Sequence, residues 1–418
     1  GDQPRHERQH GGDQGGGGEP MSAANPTGIA TPYPAPRTLS QVARGNDSVG
    51  IGDSIMRGLA GTNLYGRTSW FDMACLFSGQ RIRRLANLGV DGETSAQVLA
   101  RIGDVIALRP ARCVVGVGTN DVIGGVSLTT TMANIRAICA RLRAAGIEPI
   151  LATILPIYLP AFETTYQTAT SKLNWAIADY AAAQGLICLD LHSLVVDGVA
   201  GTGDFVSGYD SDGEHLTPVG ARVVGAKVAN ILAPTYPNVV PYLGQLKTDA
   251  ANLLTNGIFS GDSNADGLAD NWGTSGTGTP TYSLEAGTDG VVGNWQVLTY
   301  GSAGQKLLQR TINPSSSWAG GDVIEFSGRI RATIEAGGMW AYCTLSFYSA
   351  GPVEIGSAKL KPIENWMSDI ADGVFTMRTT IPANCVLMQL NAGNSPTGTG
   401  VLKFSQLTIR NLTKLGLV

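Results

Sequence analysis

The chain has 418 residues, of which 43% are hydrophobic and 15% are charged, and its net charge is -4. This length exceeds one typical core and favours two domains. The slightly acidic balance argues against a nucleic-acid partner, and no apolar run is long enough to predict a membrane-spanning helix.

Residues 1–38 are polar and rich in glycine and proline. Such a segment buries too little apolar surface to offset the entropy of ordering, so we expect it to be disordered. It contains no apolar stretch typical of a signal peptide. Met21 is a candidate start of the natural chain, with the first twenty residues then a leader or an added segment.

Residues 39–240 form the first predicted domain, because apolar strand-like runs alternate there with amphipathic helical patterns. Thr217 is placed to cap the last helix, with Pro218 in its first turn. The alternation predicts an α/β fold with a doubly wound, mostly parallel, flavodoxin-like sheet. The strands are expected at 47–54, 83–90, 111–121, 147–156 and 186–192, and the helices at 95–110, 128–146, 162–185 and 217–233.

Residues 241–251 are interpreted as a linker, and residues 252–418 as a second, all-β domain. Short alternating runs rich in Gly, Thr and Ser predict an antiparallel sandwich there. The chain has six cysteines and no CxxC pair, which argues against a zinc site. We interpret the cysteines as buried thiols, while a pairing of Cys343 with Cys385 remains open.

Histidine is the usual general base near neutral pH, and only His192 and His215 lie outside the predicted disordered head. His192 ends the fifth strand, two residues after Asp190. His215 lies in a polar loop three residues after Asp212, where a carboxylate can meet Nδ1 and leave Nε2 free. Functional residues concentrate on loops, so His215 ranks ahead of His192.

Ser54 lies where the first strand gives way to a helix, in the stretch "GIGDSIMRG". A serine there can simply cap the helix, or it can act as a nucleophile once a base takes its proton. Two further segments, "GETS" and "GTND", follow the second and third strands and contain Gly92 and Asn120. Backbone N–H groups of Ser54 and Gly92 with the Asn120 amide would supply three oxyanion donors; Gly89 is an alternative donor.

Together with "DGEH", residues 212–215, these blocks resemble the SGNH or GDSL hydrolase superfamily over residues 46–233. The resemblance implies ester hydrolysis through an acyl-enzyme, without a metal or other cofactor in catalysis. It implies Ser54 as nucleophile, His215 as base and then acid, and Asp212 as the orienting carboxylate, with Ser54, Gly92 and Asn120 forming the oxyanion hole. Asp53 and Asp121 are expected to hold their loops in shape.

The opening of the second domain, "NLLTNGIFSGDSNADGLADNW", resembles the start of jelly-roll carbohydrate-binding modules. Within it, Asp262, Asn264, Asp266 and Asp270 place oxygen ligands around Gly267, as in short calcium loops. A solvated Asx-rich turn is the alternative. Exposed tryptophans can stack on sugars, and this domain contains five: Trp272, Trp295, Trp318, Trp340 and Trp366.

Pairing an esterase-like domain with a sandwich module favours a carbohydrate esterase that removes O-acetyl groups from a polysaccharide. A lipid or thioester hydrolase of the same superfamily is one alternative. The glycine-rich head and the closing "FSQLTIRNLTKLG" resemble phage tail proteins, so a virion adhesin with glycan deacetylase activity is another. We therefore expect an acetylated polysaccharide as partner, a virion or cell-surface assembly, and an extracellular or virion-associated rather than cytoplasmic location.

Overall fold

The structure is a computed structural model. It describes residues 45–60, 64–79, 81–159, 163–199, 202–237, 243–288, 290–302, 304–336, 341–360, 370–394 and 398–417. The predicted disordered segment, residues 1–38, lies outside the described residues.

The first domain is built on a parallel five-stranded sheet, with the strand order β2-β1-β3-β4-β5. This is the flavodoxin-like order, and it confirms the predicted fold class. Near-continuous burial of four of the five strands explains their apolar runs, since helices cover both faces of the sheet, whereas the edge strand β2 is partly exposed. The strands are β1 (Asp47–Gly52), β2 (Arg83–Gly89), β3 (Arg112–Gly116), β4 (Glu148–Ala152) and β5 (Ile187–Leu189).

Nine α-helices are described in this domain, and side chains cap the amino ends of several of them. Thr217 caps the last helix by accepting a hydrogen bond from the Gly220 N–H at 3.1 Å, with Pro218 in its first turn, as predicted. The helices are α1 (Ser54–Arg57), α2 (Trp70–Phe77), α3 (Ser95–Ala100), α4 (Ile102–Leu108), α5 (Thr119–Ile123), α6 (Leu128–Ala144), α7 (Glu163–Ala183), α8 (His192–Val195) and α9 (Pro218–Leu232).

The single helix predicted over residues 95–110 is two helices in the structure, α3 and α4, which meet at Arg101. Arg101 leaves helical geometry (φ -104°, ψ 17°). Its guanidinium pairs with Glu93 and donates to the Gly52 carbonyl at 3.1 Å. Contacts of Arg101 with the loop before α3 and with the end of β1 therefore accompany the break in a pattern that is continuous in sequence.

The second domain consists of two five-stranded antiparallel sheets, ordered β13-β10-β15-β8-β7 and β12-β11-β14-β9-β6. Their inner faces form the predicted sandwich core. The strands are β6 (Gly273–Gly276), β7 (Thr281–Ala286), β8 (Asn294–Tyr300), β9 (Lys306–Ile312), β10 (Val323–Ala336), β11 (Ala341–Tyr348), β12 (Glu354–Leu360), β13 (Ile370–Thr380), β14 (Leu387–Asn394) and β15 (Thr399–Asn411). Part of the predicted linker packs on this domain, since the Gly244 N–H donates to Gln406.

The two domains share a buried interface in which β13 packs on α2 and on the outer strand β2. Four residues form an interdomain ion-pair ring: Asp47 and Arg83 from the first domain, and Glu325 and Arg378 from the second. Close by, the Tyr65 hydroxyl donates to the Thr376 carbonyl at 3.1 Å. The interface therefore combines apolar packing with specific polar contacts.

Two sequence expectations are answered by the fold itself. All six cysteines are free and buried, so Cys343 and Cys385 do not pair. Within the described part of the chain, no helix combines the length and hydropathy needed to cross a bilayer.

Candidate active site

Ser54 lies at a tight corner at the carboxyl end of β1. A β-carbon on Gly52 would lie 1.9 Å from the Gly116 carbonyl oxygen, so only glycine lets β1 and β3 approach this closely. The Asp53 carboxylate accepts a hydrogen bond from the Ile55 N–H at 3.0 Å and caps α1. Ser54 is the first residue of that helix, and its side chain faces a cleft.

The structure brings Ser54, His215 and Asp212 into one hydrogen-bonded chain. Ser54 Oγ lies 2.9 Å from His215 Nε2, and His215 Nδ1 lies 2.9 Å from Asp212 Oδ2. The other Asp212 oxygen, Oδ1, accepts the His215 backbone N–H at 2.8 Å. This double contact fixes the imidazole with Nδ1 toward the carboxylate and Nε2 toward the serine.

The electrostatics of the loop favour a charged His215–Asp212 pair. Burial opposes protonation of His215, but the hydrogen bond that its ring donates to Asp212 and the charge of Glu214 outweigh it, so the pKa of His215 is raised. Burial also opposes ionisation of Asp212, but the hydrogen bonds from His215 leave its pKa lowered. A protonated imidazole formed during reaction would therefore be stabilised in place.

Asn120 and Gly92 line the same cleft as Ser54. The Asn120 amide donates one hydrogen bond to the Glu93 carbonyl at 3.1 Å, which fixes its orientation and leaves its second N–H for a ligand. Gly92 has a left-handed φ of 76°, which turns the loop after β2 toward the cleft. The Gly89 N–H, the alternative oxyanion donor, is instead bonded to Asn87 at 3.0 Å.

Asp121 and Asp53 contact the loops next to them. The Asp121 carboxylate accepts hydrogen bonds from Ser95 and from the Thr131 hydroxyl, which ties α5 and its Asn120 to α3 and α6. Burial raises the pKa of Asp53 to about 7. Both carboxylates thus hold the segments that carry cleft residues.

The cleft is open and has a volume of about 640 Å³. Sequence reasoning gave no role to Glu214, Arg67, Thr68 or Leu59, all of which line it. Burial and the charge of Asp212 raise the pKa of Glu214. In the sequence, only the position of Glu214 between Asp212 and His215 pointed to the cleft. Nothing in the local sequence pattern marks Arg67, Thr68 or Leu59.

His192, the second histidine considered, does not line this cleft. It begins α8 and lines a separate groove with Asp190 and Trp175. Burial lowers the pKa of His192, although the charge of Asp190 acts in the opposite direction.

The four residues of the predicted calcium loop bond mainly within their own turn. Asp262 accepts the N–H groups of Asp266 and Gly267, and Asn264 donates to Asp266. Asp270 pairs with Lys247 at 2.9 Å. No group of three or more His, Cys, Asp or Glu side chains in the described ranges is arranged to hold a metal. The observed contacts fit an Asx-rich turn, and calcium binding stays a prediction.

Residues 51–223 match the sequence model of the GDSL-like Lipase/Acylhydrolase family. This match identifies residues 51–223 as a GDSL-like domain within the chain. The GDSL-like domain is thus a hydrolase that acts on esters, and its boundaries enclose Ser54, Gly92, Asn120, Asp212 and His215. None of the curated proteins compared with the chain matches its sequence.

Solved structures similar to the GDSL-like domain include a GDSL-like lipase from Bacteroides thetaiotaomicron. It is 25% identical, with 46% of this chain and 89% of that one covered and a TM-score of 0.38. A catalytic mutant of an acetylxylan esterase from Geobacillus stearothermophilus is 18% identical, covering 47% and 97%, with a TM-score of 0.38. Tailspike protein 4 of bacteriophage CBA120 is 15% identical, covering 39% and 23%, with a TM-score of 0.28.

Proposed function

We propose that the chain is a serine esterase that removes O-acetyl groups from a polysaccharide through an acyl-enzyme. The observation that carries the proposal is the hydrogen-bonded chain from Ser54 Oγ through His215 to Asp212, which opens into the cleft. In its neutral form, the His215 imidazole, 2.9 Å from the Ser54 hydroxyl, is placed to take the hydroxyl proton.

In the proposed mechanism, Ser54 Oγ attacks the ester carbonyl while His215 Nε2 takes its proton. The N–H groups of Ser54 and Gly92 and the amide of Asn120 stabilise the tetrahedral oxyanion. Its collapse expels the sugar hydroxyl, which takes the proton from His215. Water then attacks the acyl-enzyme and gives its proton to His215. The second tetrahedral intermediate collapses, the proton passes from His215 to Ser54 Oγ, and acetic acid leaves and ionises to acetate in solvent.

The cleft lining supports a small acyl group on a polar alcohol. Nine of the fourteen lining residues have polar or charged side chains, including Arg67, Thr68, Asp91 and Glu214, and three are apolar. A sugar offers hydroxyl groups to such a surface, while an acetyl group needs little apolar room.

A lipid or thioester hydrolase is the second candidate, and one feature favours it. A groove of about 530 Å³ between α5, α6 and α7 begins at Val122, two residues beyond Asn120. Val126, Leu128 and Leu173 give it an apolar lining that suits an acyl chain.

Acetate release from chemically O-acetylated xylan, glucomannan and dextran tests the proposal, with the Ser54→Ala variant as the control. A series of 4-nitrophenyl esters from acetate to decanoate then separates the two candidates. We expect acetate release from at least one polymer, its loss in Ser54→Ala, and a steep fall in kcat/KM beyond butyrate. Undiminished turnover by Ser54→Ala would refute the mechanism, and a preference for decanoate would favour the lipid hydrolase.

The β-sandwich is proposed to hold the enzyme on its glycan. Its described tryptophans, Trp272, Trp295 and Trp318, are buried and belong to the core. Trp340 and Trp366 lie outside the described residues. Affinity electrophoresis in acetylated glucomannan, comparing the full chain with Trp340→Ala and Trp366→Ala variants, tests this role. Mass spectrometry of purified phage particles tests the further proposal of a virion-borne enzyme.

A further inference from the structure

A second groove lies on the GDSL-like domain, between helix α7 and the outer strand β5 of the sheet, and its volume is about 340 Å³. Residues of one α7 stripe form one wall, and the segment that follows β5 forms the other. We call it the Trp175 groove after its largest side chain. The residues used below are Trp175, Asn174, Thr153, Asp190, His192 and Ser193.

Trp175 is the unusual feature of this groove, because 73% of it is exposed. Its helical neighbours along the stripe, Ser171, Ala178 and Ala182, are all small. They leave the indole uncovered. The other tryptophans in the described part of the chain, Trp70, Trp272, Trp295 and Trp318, are all buried. A large aromatic face held in solvent on a well-packed helix points to a ligand.

The helix that carries Trp175 is fixed at this point. The Asn174 side chain accepts the Ile154 N–H at 2.8 Å and donates to the Ile154 carbonyl at 2.9 Å. This pair of bonds ties α7 to the loop after β4. The backbone that carries the indole is therefore held in place before any ligand binds, which lowers the entropy lost on binding.

Polar groups face the indole from the other wall. Ser193 donates to Asp190 through its hydroxyl at 2.5 Å and through its N–H at 3.2 Å, so the carboxylate is oriented. The His192 ring makes no hydrogen bond within the described residues, and burial lowers its pKa. A neutral imidazole and a carboxylate together offer donors and acceptors to hydroxyl groups.

We propose that the Trp175 groove binds a sugar residue of the polysaccharide substrate, with its ring on the Trp175 indole and its hydroxyls bonded to Asp190 and His192. A pyranose has an apolar face for stacking and hydroxyls at its edge, which matches an exposed indole beside neutral and anionic polar groups. The inference deepens the proposed function and rests on it.

The position of the groove favours a polymer over a small ester. Asp190 follows β5 and Ser54 follows β1, so both lie at the carboxyl edge of the sheet. Three strand spacings of about 4.8 Å separate them by roughly 15 Å. One sugar unit cannot occupy both places, whereas a chain of several units can.

Steady-state kinetics on O-acetylated glucomannan and on 4-nitrophenyl acetate test the proposal. For Trp175→Ala, we expect KM on the polymer to rise about tenfold, the effect of losing one aromatic stacking contact. Its kcat on the polymer and its kcat/KM on 4-nitrophenyl acetate should stay unchanged. Trp175→Phe should keep most of the polymer affinity, and Val353→Ala, a change at an exposed apolar site on the sandwich, should change nothing.

An unchanged polymer KM in Trp175→Ala would overturn the proposal while leaving the esterase assignment intact. If the wild-type chain acts on no acetylated polymer, the proposed substrate is wrong, and sugar binding in the groove is tested separately. Affinity electrophoresis of Ser54→Ala and Ser54→Ala/Trp175→Ala in glucomannan, xylan and dextran then decides it. Equal migration of the two proteins overturns the groove. The proposal is also overturned if sedimentation equilibrium shows a dimer and the Trp175→Ala substitution dissociates it, because the indole would then contact a second copy of the chain.

Discussion

The replacement of Gly213 by alanine should separate the geometry of the candidate triad from the stability of the fold. Gly213 lies between Asp212 and His215 and has a left-handed φ of 85°. A β-carbon there would lie 2.1 Å from the Tyr158 carbonyl oxygen. Real β-carbons essentially never approach closer than 3.0 Å, so one of the two segments must move by about 0.9 Å.

Movement of Tyr158 is restrained, because its N–H already donates to the Gly213 carbonyl at 2.8 Å. We expect the shift to reach the 212–215 loop, because this hydrogen bond joins the two segments, and to change the 2.9 Å contact between His215 and Ser54. A misplacement of about 1 Å at a catalytic group can lower the rate about 100-fold. The left-handed backbone adds a stability loss of about 1–2 kcal/mol for any residue other than glycine.

Gly208 provides the matched control, because its φ is 83° and a β-carbon there meets nothing within 4 Å. Gly208→Ala should lose the same 1–2 kcal/mol of unfolding free energy in urea and keep wild-type kcat on 4-nitrophenyl acetate. Gly213→Ala should lose kcat about 100-fold, as argued above. Wild-type kcat in a folded Gly213→Ala protein would refute the reasoning, and equal losses in both variants would show that backbone strain alone is responsible.

Four further predictions concern the oxyanion donors, pH, the domain interface and calcium. Asn120→Ala should lower kcat by about 10²–10³-fold, as loss of one oxyanion donor does. Activity should fall as the pH drops through the raised pKa of His215, because a protonated imidazole cannot accept the Ser54 proton, and Asp212→Asn should shift this limb to lower pH. Glu325→Gln should lower the unfolding free energy by about 2–3 kcal/mol, somewhat less than the roughly 3–5 kcal/mol for a fully buried pair. Calcium should raise the melting temperature of chelator-treated protein, and Asp262→Ala should remove that shift.

Each of these predictions has a control or a contradicting outcome. Wild-type kcat in Asn120→Ala would exclude the amide from the oxyanion site. An acidic limb that stays in place in Asp212→Asn would show that the carboxylate does not set the His215 pKa. Glu354→Gln disrupts an exposed pair with Lys359 and should change stability by at most about 1 kcal/mol. Identical melting curves with calcium and with chelator would leave the 262–270 loop as a turn.

The sequence was sufficient to predict the parallel sheet and the convergence of distant blocks. Parallel strands end at a common edge, so the loops carrying Ser54, Gly92, Asn120 and His215 had to meet there once the βα alternation was recognised. The long-range contacts of individual side chains could not be predicted from the sequence. The break at Arg101 depends on Glu93 and Gly52, whose positions follow from the packed fold and not from the local pattern.

The sequence also left the environment of single side chains open. Trp175 and Trp295 both occur in apolar stretches, yet one is exposed and the other is fully buried. Exposure depends on which segments pack over a residue, and this is a tertiary property. The loop context was enough to rank His215 above His192. The groove around His192 could not be predicted, because it depends on which segments pack together.

The interdomain ion-pair ring fixes the orientation of the active-site cleft relative to the sandwich. The sandwich is held against the GDSL-like domain by the ion pairs of this ring and by the hydrogen bond between Tyr65 and Thr376, and not by a flexible linker alone. In the proposed esterase, any surface that binds the sandwich would also set the height and angle at which Ser54 meets an ester. Binding of the sandwich to a surface would then also orient the active-site cleft. Ester groups that Ser54 cannot reach from that orientation would not be cleaved, however abundant they are.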